Sequence, residues 1–207
     1  MSWTTVIIII NVAVSYMGFQ DPNFKHRLMM NPVAILNNRQ WYRTITSGFI
    51  HANWMHLGFN MFTFYFFGST VEYIFAGLKG DLGGIYFISF YLLGIVISDL
   101  PSLIKHKDHP HYNSLGASGG VAAIVFCSIL FYPTNDICLY GFLCLPGFIL
   151  GVLYLIYSYT KGKDMSDNIN HDAHLIGAIF GLIFSVLIEP HVLAGFIEQV
   201  GQWGIFR

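Results

Sequence analysis

Two histidines and an asparagine stand in an apolar stretch of the chain. The segment HANWMHLGFN, residues 51–60, carries His51, His56 and Asn60, and residues 44–71 contain no Asp, Glu, Lys or Arg. On a helix, His56 and Asn60 are four residues apart and share one face. Polar groups in a membrane are costly, and they either carry function or join helices by hydrogen bonds, so both interpretations stay open.

A serine with glycines on both sides occurs in the segment GASGG, residues 116–120. If a helix begins there, Ser118 lies among backbone N–H groups that lack a partner within the helix, where the helix dipole favours negative charge. Gly116 and Gly119 would allow another backbone or a substrate to come close. The pattern suits stabilisation of an oxyanion, and it also fits an N-capping serine on a small-residue packing surface.

A third group, HDAHLIGAIFG at residues 171–181, combines a histidine with a small-residue step. His174, Gly177 and Gly181 lie on one side of a helix. Small residues at such positions let two helices approach closely, and the glycine-rich segment around Ser118 is the natural partner. That contact would bring His174 toward Ser118, although packing alone would explain the same residues.

Together the three groups supply the parts of a serine hydrolase. A serine needs a base to act as a nucleophile, and a neutral imidazole can serve, so Ser118 and His174 form a candidate dyad. His56, Asn60 and the Ser118 N–H could stabilise the negative charge that develops on a carbonyl oxygen. Asp172 lies two residues before His174 and points to another side of the helix, so a dyad is predicted rather than a triad.

The composition predicts where these groups lie. The sequence has 207 residues, of which 55% are hydrophobic and only 10% charged, and its mean hydropathy is +0.57. A soluble domain carries about 25% charged residues, so an integral membrane protein in contact with the lipid bilayer is predicted. The net charge of −1 argues against a nucleic-acid partner. No oligomeric state is indicated.

The predicted fold is all-α, a polytopic bundle of six membrane helices forming a single domain over residues 1–207. Six segments approach the roughly 20 residues that a helix needs to cross a bilayer. They are residues 3–19, 54–71, 82–98, 118–132, 137–158 and 173–188. The first lacks the basic start and cleavage site of a signal peptide, so we expect a retained membrane helix. The loops 20–53, 99–117 and 159–172 then share one face with nearly all of the chemistry.

The cysteines suggest no further site. Cys127, Cys138 and Cys144 are odd in number and lie in or beside apolar runs, without the paired spacing of metal ligands. We therefore expect neither a disulfide framework nor a zinc site of cysteine ligands. No metal or other cofactor is predicted.

The three polar groups resemble those of a rhomboid intramembrane serine protease. The resemblance rests on four segments in the family's order, namely WYR at 41–43, HANWMHLGFN at 51–60, GASG at 116–119 and AHLIGAIFG at 173–181. It implies hydrolysis of peptide bonds in or next to the transmembrane helices of membrane-protein substrates, in a bacterial inner membrane. Ser118 would be the nucleophile, His174 the general base, and His56 and Asn60 the side-chain donors of the oxyanion hole.

The resemblance also implies supporting roles. Arg43 and Glu72 match positions that are structural in the family, and His51 matches one near the active site. The family further suggests substrate entry between the second and fifth helices, with residues 159–172 as a lid. Many rhomboids carry an aromatic residue one turn after the serine, stacked on the catalytic imidazole. This chain has Ala122 there, so another group must hold the ring.

The charges leave the orientation of the bundle open. Eight of the ten Lys and Arg residues fall on the loop-rich face, while Lys79 and Arg207 fall on the other. The eight are Lys25, Arg27, Arg39, Arg43, Lys105, Lys107, Lys161 and Lys163. The positive-inside rule would put this face in the cytoplasm, whereas bacterial rhomboids usually expose the active-site face on the outside.

Two other classes of function remain. Intramembrane histidines are typical of transporters and channels, but these would also need carboxylates facing one another within the helices, and the predicted spans contain none. A catalytically inactive rhomboid-like binding protein would be expected to lack Ser118 or His174, and the sequence retains both.

Overall fold

The computed structural model describes residues 1–139, 143–163 and 169–204. In chain order the helices of this part are α1 (Trp3–Gln20), α2 (Pro22–Leu28), α3 (Pro32–Asn38), α4 (Arg43–Thr46), α5 (Trp54–Lys79), α6 (Gly83–Lys105), α7 (Ser118–Phe131), α8 (Gly147–Lys163), α9 (His171–Ile188) and α10 (Val192–Gln202). Strands β1 (Asp136–Leu139) and β2 (Leu143–Pro146) stand between α7 and α8, and 3-10 turns cover Ser47–Phe49 and Gly80–Leu82.

Three described stretches are long and apolar enough to cross a membrane: Trp3–Gln20, Trp54–Lys105 and His171–Ile188. The second contains both α5 and α6, which the turn Gly80–Leu82 joins. Helix α7 is apolar as well but only 14 residues long. These helices agree with a membrane protein, and the bundle of six spans stays a prediction.

Aromatic side chains fill the centre of the bundle. Phe64 from α5 lies 4.8 Å from Tyr91 of α6, and Phe90 of α6 stacks on Phe184 of α9 at 4.7 Å between ring centroids. Phe64, Phe90 and Tyr91 are fully buried. This core holds α5, α6 and α9 together, and α7 lies among the three.

The predicted fifth helix at 137–158 is wrong in its first half. Residues of β1 and β2 pair antiparallel there, and α8 begins only at Gly147, directly after Pro146. Proline has no N–H and clashes with the preceding helical turn, so a helix through position 146 is disfavoured. Instead, the backbone N–H groups of Gly147 and Phe148 donate hydrogen bonds to carbonyl oxygens of the segment before β1. The fold is therefore mainly α-helical, with one short hairpin in the part of the chain that the structure describes.

The expectation of no disulfide is also wrong. The register of the hairpin sets Cys138 directly opposite Cys144, and the two form a disulfide. The odd cysteine count concealed this pair because Cys127 is a separate buried thiol in α7. Residues 140–142, between β1 and β2 in the sequence, lie outside the described part.

The first long loop is folded into short helices. Helices α2, α3 and α4 occupy much of residues 20–53, where the sequence predicted a loop, and α10 follows the last predicted span. Helix α10 packs on α7 and α9, and the Gln199 side chain donates to the Phe131 carbonyl at 3.2 Å. Residues 164–168, the middle of the predicted lid, and Arg207 lie outside the described residues.

Candidate active site

Helices α7 and α9 cross at glycines. A Cβ added to Gly177 would overlap the carbonyl oxygen of Gly119 and lie 2.9 Å from its carbonyl carbon. One turn further, a Cβ on Gly181 would overlap the carbonyl oxygen of Ala123. The two backbones are therefore in direct contact, which the spacing of small residues predicted.

This crossing brings together the first turns of the two helices. Ser118 directly precedes Gly119, and a Cβ on Gly119 would lie 3.5 Å from the carbonyl oxygen of Ala173, the residue before His174. Helix α9 begins here because Asn170 caps it, accepting from the Ala173 N–H at 3.1 Å. Its side-chain nitrogen also donates to Ser102 of α6 at 2.9 Å. The start of α9 is thus fixed beside the start of α7.

Ser118 borders a small recess at this crossing. The recess has a volume of about 20 Å³ and is lined by Ile95, Ser98, Asp99, Ser114, Leu115, Gly116, Ser118, Gly119, Asn170 and Ala173. About one water molecule fits such a volume. Ser118 itself is half-buried, so its hydroxyl is shielded without being enclosed.

Asp99 is a site neighbour that the sequence reasoning missed. Its carboxylate lines the recess and accepts a hydrogen bond from the Ser47 hydroxyl at 3.2 Å. The predicted third helix ended at residue 98, whereas α6 continues through Pro101 to Lys105. A carboxylate next to an apolar span was the available signal. A single acidic residue with a hydroxyl partner does not form the facing carboxylates expected of a proton path.

His56 lies against the loop that leads to Ser118. Gly116 has φ of 120°, and a Cβ there would meet the His56 ring at 2.6 Å from Cε1 and 2.9 Å from Nε2, so the position requires glycine. The Ala52 N–H donates to His56 Nδ1 at 3.4 Å. A ring nitrogen that accepts carries no proton, so the proton of the neutral ring is on Nε2, on the side of the ring that faces Gly116.

Asn60 lies one helical turn after His56 in α5 and is buried. Its side-chain nitrogen donates to the His56 carbonyl oxygen at 2.9 Å. An amide nitrogen carries two hydrogens, so a second N–H is available for another acceptor. Asn60 and His56 thus stand on the same face of α5, as predicted, and both can donate hydrogen bonds.

His51 packs beneath this loop and is fully buried. Its ring lies edge-on to His56 at 5.0 Å between centroids. Burial, together with the nearby His56 and Lys25, lowers the pKa of His51 to about 3. His51 is therefore neutral at physiological pH.

Tyr154 stands near the His174 ring. The two rings are 6.4 Å apart at the centroids and inclined by only 25°, and His171 lies edge-on to His174 at 6.0 Å. The sequence reasoning left open what holds His174 in place of the residue missing at Ala122, and it did not single out Tyr154. An aromatic residue in the fifth predicted helix was the only signal, and it is a common one.

Arg43 is buried and ties the first loop together. Its Nη1 donates to the carbonyl oxygens of His26 and Met29, both at 2.8 Å, and its Nε donates to Gln40 at 2.6 Å. A planar guanidinium suits three such acceptors at once. The side chain therefore fixes α2 relative to α4 and does not reach Ser118.

Glu72 caps α1 from the other end of α5. Its carboxylate accepts from the Trp3 N–H at 2.8 Å, and from the Thr4 N–H and hydroxyl at 2.9 and 2.7 Å. Negative charge at a helix N-terminus is stabilised by the unpaired N–H groups there. Among the described residues, no group of three or more His, Cys, Asp or Glu side chains is arranged to hold a metal ion.

Comparison with known proteins identifies the family. Residues 38–191 match the rhomboid domain. The chain is 27% identical over 179 residues to RHOMBOID-like protein 12, mitochondrial, of Arabidopsis thaliana, covering 77% of this chain and 51% of that protein. It is 28% identical over 209 residues to Rhomboid-like protein 11, chloroplastic, also of Arabidopsis thaliana. This match covers 94% of this chain and 68% of that protein. It is 26% identical over 188 residues to Putative rhomboid protease YdcA of Bacillus subtilis (strain 168). This match covers 84% of this chain and 83% of that protein.

The apolar helices and the domain match together define an integral membrane protein. The chain belongs to the rhomboid family. It spans about half the length of the mitochondrial relative. Two of these three relatives have organellar names and one is bacterial, so a bacterial inner membrane stays a prediction for this chain.

Proposed function

We propose that the protein is an intramembrane serine endopeptidase that hydrolyses peptide bonds in or next to transmembrane helices. Membership of the rhomboid family supports this class of reaction. The observation that carries the proposal is the contact of Gly177 with the backbone of Gly119, because it joins the helix turns that bear His174 and Ser118. A helix crossing this close supports a dyad of Ser118 and His174.

In the proposed reaction, the Ser118 hydroxyl attacks the scissile carbonyl carbon while the His174 imidazole takes the hydroxyl proton. The tetrahedral intermediate collapses as the protonated imidazole gives this proton to the leaving amine. An ester between Ser118 and the substrate remains. Water then attacks the ester, His174 takes its proton, and the new carboxyl product leaves as Ser118 is restored.

The negative oxygen of each tetrahedral intermediate needs donors. The proposed donors are His56 Nε2–H, the second side-chain N–H of Asn60 and the backbone N–H of Ser118. The proton assignment of His56 supports its role, since Nδ1 already accepts from Ala52 and Nε2 faces Gly116. Ser118 stands at the first position of α7, where backbone N–H groups have no partner within the helix.

The proposed substrates are helices of other membrane proteins. A helix hides its carbonyl groups in backbone hydrogen bonds, so the scissile stretch must unwind before a serine can attack it. We therefore expect cleavage near the membrane surface, at stretches with Gly, Ala, Ser or Pro. The resemblance to the family suggests a lid over residues 159–172, but residues 159–163 belong to α8 and residues 171–172 to α9.

A direct test is cleavage in proteoliposomes that contain the purified protein and a panel of single-span reporter helices. Mass spectrometry of the products would locate the cut. We expect product from wild type and a loss of about 10⁴-fold or more in Ser118→Ala. Ser185→Ala is the matched control, because Ser185 is a buried serine of α9 whose hydroxyl donates to the Gly181 carbonyl of the same helix. Equal cleavage by wild type and Ser118→Ala would overturn the assignment of the nucleophile.

A further inference from the structure

Three hydrogen bonds, two of them fully buried, connect α1 with the start of α7. The Ser15 hydroxyl donates to the Phe49 carbonyl oxygen at 3.2 Å. The Ser15 hydroxyl oxygen also lies 2.9 Å from His51 Nδ1. On the other side of the ring, the Ala117 N–H donates to His51 Nε2 at 3.4 Å. Ser15, His51 and Ala117 are all inaccessible to solvent, or nearly so.

The direction of each bond follows from the donors available. A serine hydroxyl has one hydrogen, and Ser15 gives it to Phe49, so Ser15 can only accept from His51 Nδ1. A backbone N–H can only donate, so His51 Nε2 must accept from Ala117. Both ends of the imidazole therefore require the same neutral tautomer, with the proton on Nδ1.

The opposite tautomer would displace the loop before the serine. A proton on Nε2 would face the Ala117 N–H, and two donors would then meet in a buried site. The Gly116–Ala117 peptide, which carries the Ala117 N–H, would have to turn, and the next peptide carries the Ser118 N–H. The tautomer of His51 thus bears on a proposed oxyanion donor that His51 does not touch.

Ser15 acts on this loop by a second path. The Phe49 carbonyl that Ser15 bonds belongs to the 3-10 turn Ser47–Phe49. At the start of this turn, the Ser47 carbonyl accepts from the Gly116 N–H at 2.9 Å. The Ser15 hydroxyl therefore contacts both His51 and the turn Ser47–Phe49. These two groups hydrogen-bond the segment from Gly116 to Ser118.

We propose that Ser15 is a positioning residue of the active site, which selects the Nδ1–H tautomer of His51 and thereby holds the Gly116–Ala117 peptide, the one directly before the peptide that carries the Ser118 N–H. The inference rests on the proposed function for its catalytic consequence, and on hydrogen bonds alone for the tautomer. Ser15 touches neither the dyad nor the substrate. Its effect passes through His51 and the backbone before Ser118.

The experiment compares wild type, Ser15→Ala, Ser15→Thr and Ser185→Ala in detergent. Histidine ¹⁵N NMR reports which ring nitrogen of His51 carries the proton, and reporter cleavage gives kcat and KM. We expect Ser15→Ala to lower kcat about tenfold with little change in KM, and to lose the pure Nδ1–H signature of His51. Ser15→Thr retains the hydroxyl and should restore both. Ser185→Ala should match wild type.

Several results would overturn the inference. These are an unchanged His51 spectrum in Ser15→Ala, an equal loss of kcat in Ser185→Ala, or a loss confined to KM. If Ser15→Ala does not fold, Ser15→Cys offers a weaker hydrogen-bonding group, and an unaltered tautomer there counts against the inference. If wild type cleaves nothing, the proposed function fails separately, and the His51 spectra alone decide whether Ser15 selects the tautomer.

Discussion

The backbone of Gly177 rests on the backbone of Gly119, with no space for a side chain between them. This contact sets the distance between α7 and α9, and so the distance between the turns that carry Ser118 and His174. Each helix would have to move outward to admit even one methyl group. The separation of the proposed dyad is therefore determined by the absence of a side chain at position 177.

Gly177→Ala should destabilise the protein by about 1–3 kcal/mol, because an overpacked contact forces backbone shifts. It should also reduce the reactivity of Ser118, since the helices that carry the dyad move apart. Gly77→Ala is the control, because a Cβ at this helical position of α5 meets nothing within 4 Å. Thermal unfolding in detergent would measure both variants. Equal melting temperatures in the two variants would contradict the close-packing argument.

Asn60→Ala should lower kcat by about 10²–10³-fold, the usual effect of removing one oxyanion donor. The substrate would still bind, because this donor acts on charge that develops only in the transition state. Steady-state cleavage of a reporter helix would separate kcat from KM. A rise in KM at constant kcat would instead assign Asn60 to substrate binding.

Tyr154→Leu should slow the modification of Ser118 by a serine-directed probe, because the His174 ring would lose a neighbouring aromatic face. An aromatic pair contributes about 0.5–1.5 kcal/mol, which corresponds to a change of roughly two- to tenfold in rate. Tyr154→Phe keeps the ring and should react at nearly the rate of wild type. If the leucine and phenylalanine variants react alike, Tyr154 does not hold the imidazole.

The stability of the protein should fall as the pH is lowered from about 6.5 toward 3. Burial lowers the pKa of His51 to about 3, so in this range the unfolded chain binds a proton at His51 and the folded protein does not. One such group contributes a slope of about 1.4 kcal/mol per pH unit to the free energy of unfolding. Denaturant titrations at pH 7.5 and pH 5 would compare wild type with His51→Gln. A wild-type pH dependence no steeper than that of the variant would contradict this account.

Much of the candidate site could be predicted from the sequence because its residues follow helical spacing. His56 and Asn60 recur at an interval of four, and His174 shares a face with Gly177 and Gly181, so each pair needed only one helix to be placed. The close approach of α7 and α9 followed from small residues alone. These patterns are local, so they can be recognised from the sequence without a structure.

The missed features depend on contacts between distant segments. Nothing near Tyr154 in the sequence indicates that α8 carries its ring to His174. Ser15 likewise meets His51 only because α1 packs beside the first loop. The hairpin was missed for another reason, since the apolar run 137–158 has the length of a membrane helix although Pro146 lies within it.

The most direct test of the central claim is the labelling of the solubilised protein with a fluorophosphonate, with the adduct located by mass spectrometry. This reagent reacts with a serine that a neighbouring base activates, and it needs no substrate. The account predicts one adduct, on Ser118, which is lost in His174→Ala and retained in Ser185→Ala. An adduct on another serine, or undiminished labelling of Ser118 in His174→Ala, would contradict the dyad.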